Sequence, residues 1–201
     1  MLEEPLRTIR VRFDARAHSY DSSAMHRALA HEVASFVDPG HGSAVLDVAT
    51  GTGLVLRALA RRCPDRELQL TGIDISPGML EVARRRLPRA TLTVGDAAAL
   101  PFATDSFDLV TCVAALHLIP DVATMAEESA RVLRSGGRAV TATFVDSDPG
   151  RHGGPNPDRA RFDSLDKVAV ALGPSGLRLV RHRTFRYGMD AVLVAEWTCS
   201  G

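Results

Sequence analysis

The chain has 201 residues, balances 24 lysines and arginines against 24 aspartates and glutamates, and is 45% hydrophobic. That size and mixture describe one ordinary globular domain with a substantial core. A net charge of zero leaves no overall field to gather nucleic acid or an anionic membrane. Lys167 is the only lysine, and the arginine bias suits a GC-rich bacterial coding sequence. Cys63, Cys112 and Cys199 are scattered and odd in number, which predicts no metal site and no disulfide framework. The opening MLEEPLRTIRVRF lacks a signal-like apolar run, and no stretch approaches the ~20 apolar residues of a membrane span. A reducing cytoplasm is the expected compartment.

Ser22–Val37 carries an amphipathic helical pattern with Asp21 or Ser22 as its cap, within an N-terminal helical cap segment over 1–42 that precedes a core over 43–201. From there short apolar, β-branched runs alternate with helical patterns. Val45–Val48 reads as a buried strand and Leu54–Arg62 as the helix leaving it; Leu68–Ile73 is the second strand. Ser76 caps the next helix with Pro77 at its first position, where proline loses no needed N–H. That helix runs to about Arg86 and stops before Pro88. Thr91–Val94 and Asp108–Val113 are further strands. Asp121 caps a helix whose Val122, Met125, Ala126, Ala130 and Leu133 share a face. Ser135-Gly136-Gly137 is expected to end it, with Arg138–Val145 as the fifth strand.

The last third differs. Asp148–Pro157 is glycine- and proline-rich and reads as an exposed loop, followed by a short helix near Ser164–Leu172. Leu177–Tyr187 and Ala191–Trp197, joined at Gly188, are too close in sequence for anything but an antiparallel hairpin. The whole is an α/β, Rossmann-like three-layer sandwich: a seven-stranded, mostly parallel sheet with a C-terminal antiparallel hairpin.

VLDVATGTG, residues 45 to 53, sits where a strand hands over to a helix. Gly51 and Gly53 let backbone approach a ligand at a helix N-terminus. Alone, this fits nucleotide binding of several kinds. A dinucleotide fingerprint needs a further small residue where this chain has Leu56, which weakens a dehydrogenase reading. Asp74 ends the second strand about 20 residues on, where a carboxylate can take both ribose hydroxyls. Asp96 follows the third strand and can accept a proton from an exocyclic amine.

These pieces, with GIDIS, GDAAALPF, FDLVTCVAALHLIPD and LRSGGRAV in order, make the chain from about Tyr20 to Val145 resemble class I S-adenosylmethionine-dependent methyltransferases. The resemblance is closest to the broad group of ubiquinone/menaquinone biosynthesis methyltransferases. It implies S-adenosylmethionine as cofactor, S-adenosylhomocysteine as product, and methyl transfer to O, N or C of a small-molecule acceptor. It also implies roles. Asp47 would organise the glycine loop, and Gly51 and Gly53 would line the methionine part. Asp74 would bind the ribose, Ile75 and Met79 would flank the adenine, and Asp96 with Ala97 would meet its amino edge. Val113 and Ala114 would pass close to the sulfonium, and Tyr20, in the Tyr20-Asp21 pair, would fold over the methionine end. Ala49 stands where the commonest version of the loop has glycine.

Methyl transfer asks little of a protein beyond alignment and sometimes one base. His117 is the catalytic candidate, either at the reaction centre or as a packing residue of its loop. His18 and His26 read as surface histidines, His152 as a loop histidine, and Phe144 and Asp146 as lining an acceptor pocket. Arg84–Arg86 falls at a helix C-terminus, where cations offset the dipole. Nucleic acid is a disfavoured partner, and a homodimer is compatible with the sequence. Two rivals keep the cofactor fold: cyclisation or rearrangement without methyl transfer, and a non-catalytic scaffold.

Overall fold

The computed structural model describes residues 4–145 and 159–199. The expectations for Asp146, His152 and the Asp148–Pro157 loop lie outside the described residues. Seven strands form one sheet: β1 Ala44–Val48, β2 Gln69–Asp74, β3 Thr91–Val94, β4 Phe107–Val113, β5 Leu133–Phe144, β6 Leu177–Tyr187 and β7 Asp190–Cys199. Their spatial order is β3-β2-β1-β4-β5-β7-β6. The first five run parallel, and β7 is antiparallel to both β5 and β6. The six helices are α1 Leu6–Arg16, α2 Ala24–Phe36, α3 Leu54–Arg62, α4 Pro77–Arg86, α5 Val122–Val132 and α6 Leu165–Leu172.

Strand alternation divides the core in two. Leu46 and Val48 of β1 pack with Val110, Cys112, Met125, Leu172 and Trp197 on the α5–α6 face. Val45 faces the other way, against Leu29 and Val33 of α2 and Leu56 and Leu59 of α3. Burial on both faces is why these strands read as continuous apolar runs. β6, at the sheet edge, is exposed along most of its length and carries four arginines and a histidine, a charged edge that resists further strand pairing. It is tied inward at Glu196, which takes Arg138 at 2.9 Å and Arg181 at 2.5 Å. Arg181 also donates to the Phe36 carbonyl at the end of α2.

Local signals hold at α4 and α5. Ser76 accepts from the Met79 N–H and Asp121 from the Thr124 N–H. Three expectations are corrected. The cap of α2 is Ser23, which accepts from the His26 N–H, because Asp21 is committed to contacts with α3. Ser135–Gly137 does not end α5. The helix stops at Val132, and those residues lie inside β5, where pairing jumps from Phe107↔Leu133 to Leu109↔Arg138. Gly136 there adopts φ +76°, a turn that glycine takes without a Cβ penalty. Finally, the N-terminal segment holds an additional helix, α1. Its Leu6, Ile9 and Phe13 recur at i, i+3 and i+7, a one-sided stripe obscured in sequence by the arginines between them. Among the described residues no helix is long and apolar enough to cross a membrane.

Candidate cofactor and acceptor site

The strand order reverses between β1 and β4, and a crevice opens at the carboxyl ends of the strands on either side of such a point. A cleft of about 700 Å³ occupies it, within the ordinary range for small-molecule sites. One wall is the loop after β1, where Ala49 (φ +56°) and Gly51 (φ +54°) both take left-handed backbone. Ala114, just past β4, does the same at φ +55°. Non-glycine residues held there are uncommon and cluster at functional sites.

Asp74 lies at the end of β2 and lines the cleft. Its Oδ2 accepts from the Gly51 N–H at 2.7 Å and its Oδ1 from the Ser76 N–H at 2.8 Å. Burial pushes this carboxyl above its usual range against those hydrogen bonds, with the Asp14 charge adding to the rise. Ile75, Met79, Asp96 and Ala97 complete that side. Asp96 Oδ1 accepts from the Ala98 N–H. Val113 and Ala114 line the cleft at the end of β4. Nine of the eleven residues assigned to the cofactor by resemblance thus meet here: Tyr20, Gly51, Asp74, Ile75, Met79, Asp96, Ala97, Val113 and Ala114.

The other two stand behind the wall. Asp47 is buried under the glycine loop, accepting from the Thr111 hydroxyl at 2.6 Å, and burial pushes its carboxyl up to about 6. It borders an adjoining cavity rather than the cleft. Gly53 faces α4: a Cβ there would stand 2.6 Å from Leu87 Cδ1, and its φ is +76°. Its lack of a side chain serves close helix packing. His117 is also off the cleft lining. It is buried in the turn Leu116–Leu118, edge-on to Phe144 with centroids 6.1 Å apart.

The N-terminal segment closes the cleft from above. Leu6, Ile9 and Phe13 of α1 line it. Asp14 Oδ1 accepts from the Ser76 hydroxyl and the Gly78 N–H at the start of α4. Burial alone would raise the Asp14 carboxyl, but these donors and Arg10 hold it below the usual range. Asp21 accepts from the Thr52 hydroxyl and pairs with Arg57 at 2.6 Å. Between these anchors Tyr20 is set over the cleft, its hydroxyl pushed up to about 12, chiefly by burial, with Asp74, Asp21 and Asp47 adding to the rise. His18 is exposed as expected. His26 is not a surface histidine: it is half-buried, stacked on Tyr20 at 4.7 Å and 8°.

Residues 45–137 match the family model for a methyltransferase domain. The chain carries a class I S-adenosylmethionine-dependent methyltransferase domain. It is 37% identical over 144 residues to a malonyl-[acyl-carrier protein] O-methyltransferase of Halorhodospira halophila, covering 69% of this chain and 48% of the relative. It is 38% identical over 134 residues to a demethylmenaquinone methyltransferase of Thermotoga maritima, covering 64% and 58%. The chain thus spans about half the length of the curated relatives it matches. In fold it is similar to a chain from the complex between the Haloferax volcanii Trm112 methyltransferase activator and a methyltransferase. That match has a TM-score of 0.77 and 22% identity, over 94% of this chain and 98% of the other. The cofactor of this methyltransferase domain is S-adenosylmethionine, and the cleft's chemistry suits it. Ribose hydroxyls and an exocyclic amine are donors, and Asp74 and Asp96 supply acceptors at the ends of neighbouring strands. Three carboxylates, Asp47, Asp74 and Asp96, favour a cationic sulfonium among them.

Proposed function

We propose that this chain transfers the methyl group of S-adenosylmethionine to a small-molecule acceptor. The observation that carries the reading is the convergence of Asp74, Asp96 and the Gly51 loop on one cleft that opens into a second cavity. Bound in the cleft, the cofactor supplies an activated methyl group. The protein's work is then alignment and exclusion of water. Asp74 takes the ribose hydroxyls with the oxygen lone pairs left beside Gly51 and Ser76. Asp96 and Ala97 meet the adenine amino edge, and Ile75 and Met79 flank the ring. Gly51, supported by Asp47 beneath it and by Gly53 packed on α4, shapes the methionine end. Val113 and Ala114 run beside the sulfonium, and Tyr20 covers it. His117 acts by positioning Phe144 rather than by touching the reacting atoms. Residues 1–42 serve as the cap and 43–201 as the core of one functional unit.

A small acceptor is supported by the adjoining cavity of about 400 Å³ and by relatives named for quinone and acyl substrates. The test is calorimetric titration with S-adenosylmethionine, S-adenosylhomocysteine and NADH as control. Saturable binding of the two sulfur compounds and none of NADH supports the reading; no binding of either overturns it. Production of S-adenosylhomocysteine with a methylated product separates transfer from cyclisation.

A further inference from the structure

The cleft continues past Ala49, Gly51, Val113 and Ala114 into the second cavity, whose far wall holds Tyr20, His26, Leu29 and Ala30. Resting on the reading above, this is where the acceptor meets the methyl group. Two buried nitrogen atoms in this quarter have no hydrogen-bond partner among the described residues: His26 Nδ1 and Arg159 Nε. Arg159 comes from far along the chain. It is half-buried, with its guanidinium carbon 3.8 Å above the centre of the Phe144 ring. Phe144 ends β5, beside the backbone bond from the Ala114 N–H to the Ala142 carbonyl that joins β5 to the cavity floor.

The geometry of that stack decides what it can bind. A guanidinium laid flat on an aromatic ring spends its face on the ring and keeps its edge, where the N–H groups form a planar fork. A planar fork matches a carboxylate, two oxygens in one plane. The opposite wall is flat as well, since the His26 imidazole lies parallel to the Tyr20 ring. Burial and the charges of Arg16 and Arg159 hold His26 below its ordinary value, so it is neutral near pH 7 and adds no second cation. Asp190 offsets part of the Arg159 charge through space. What remains is matched to a monoanion, and a phosphate dianion would bring a second charge with nothing to meet it. Leu29, Ala30 and Val113 make the rest of the lining apolar.

We propose that Arg159 anchors the acceptor, and that the subsite between the Tyr20–His26 stack and the Phe144–Arg159 stack takes a small planar molecule bearing a carboxylate. Arg159 is thereby a specificity-determining residue.

Benzoate and its neutral counterpart benzamide are suitable probes, titrated into protein already saturated with S-adenosylhomocysteine. The wild type is expected to prefer benzoate by at least about tenfold. Arg159→Gln should erase the preference while S-adenosylhomocysteine affinity and Tm stay unchanged. Arg159→Lys, which keeps the charge and loses the fork, should retain only part of it. Equal binding of acid and amide, an acid preference that survives in Arg159→Gln, or no saturable benzoate binding each overturns the assignment. The preceding S-adenosylhomocysteine titration separates failures. If it succeeds and the acid preference is absent, only the acceptor inference falls. If it fails, the cofactor reading falls first.

Discussion

Replacing Asp74 with alanine should separate cofactor binding from folding. The carboxylate does two jobs at once. It accepts from the Gly51 and Ser76 N–H groups, and it offers its remaining lone pairs to the cleft. Losing charge-assisted hydrogen bonds to a bound ribose removes roughly 1.5–3 kcal/mol, which is about a 10- to 150-fold weaker dissociation constant. The effect on the free protein should be far smaller, because two changes oppose. Two backbone donors lose their acceptor, but a carboxylate that burial and Asp14 both disfavour as an anion is also removed. The assay is calorimetric titration of wild type and Asp74→Ala with S-adenosylhomocysteine, which avoids turnover, with thermal melts of both. A folded variant that binds within about threefold of wild type would refute the assignment of this carboxylate to the ribose.

Asp47 predicts a pH dependence. Its folded-state carboxyl is raised to about 6 from 3.8 by burial, so between those values the folded state holds more protons and stability falls as pH rises. At 1.36 kcal/mol per pH unit, the ionised group costs the fold about 3 kcal/mol near pH 7. Asp47→Asn keeps an acceptor for Thr111, so its Tm advantage over wild type should grow from pH 4 to 6 and then level; a constant difference across that window refutes this. Gly53→Ala forces a left-handed alanine against Leu87, and should cost roughly 1–3 kcal/mol; an unchanged Tm would show that Leu87 yields freely. Asp21→Ala removes the acceptor for Thr52 and the partner of Arg57, a partly buried pair that contributes on the order of 1–2 kcal/mol. Hydrogen exchange should then quicken over 6–22 and stay unchanged in β1 and β4. Uniform exchange rates would mean the N-terminal segment is held by other contacts.

Much of this molecule is legible along the chain because it depends on near neighbours. Ser76-Pro77 starts a helix, and Asp121 starts another, through bonds spanning three residues. The β1 loop and Asp74 read as a ligand site because a parallel strand followed by a helix turns in few ways. The hairpin could be foreseen from Gly188, but not which of its strands would meet β5. Packing put β7 there, its near face buried from Ala191 to Trp197, and left the arginine-rich β6 at the edge. Ser135–Gly137 misled because glycines end helices and also permit strand irregularities; only pairing with Phe107 and Leu109 distinguishes the two.

What the amino-acid order determined by itself was therefore the element types, the glycine loop and the acidic pair that marks the cofactor cleft. The tertiary structure decided the rest. It turned the Leu6, Ile9 and Phe13 stripe onto the cleft, set Gly53 against α4 rather than the ligand, and withdrew His117 to Phe144. It also brought His26 and Arg159 to one cavity from opposite ends of the chain. The physical reason is that capping, turn chemistry and periodicity are settled within a few residues. Which side chains end up desolvated together depends on how whole layers pack.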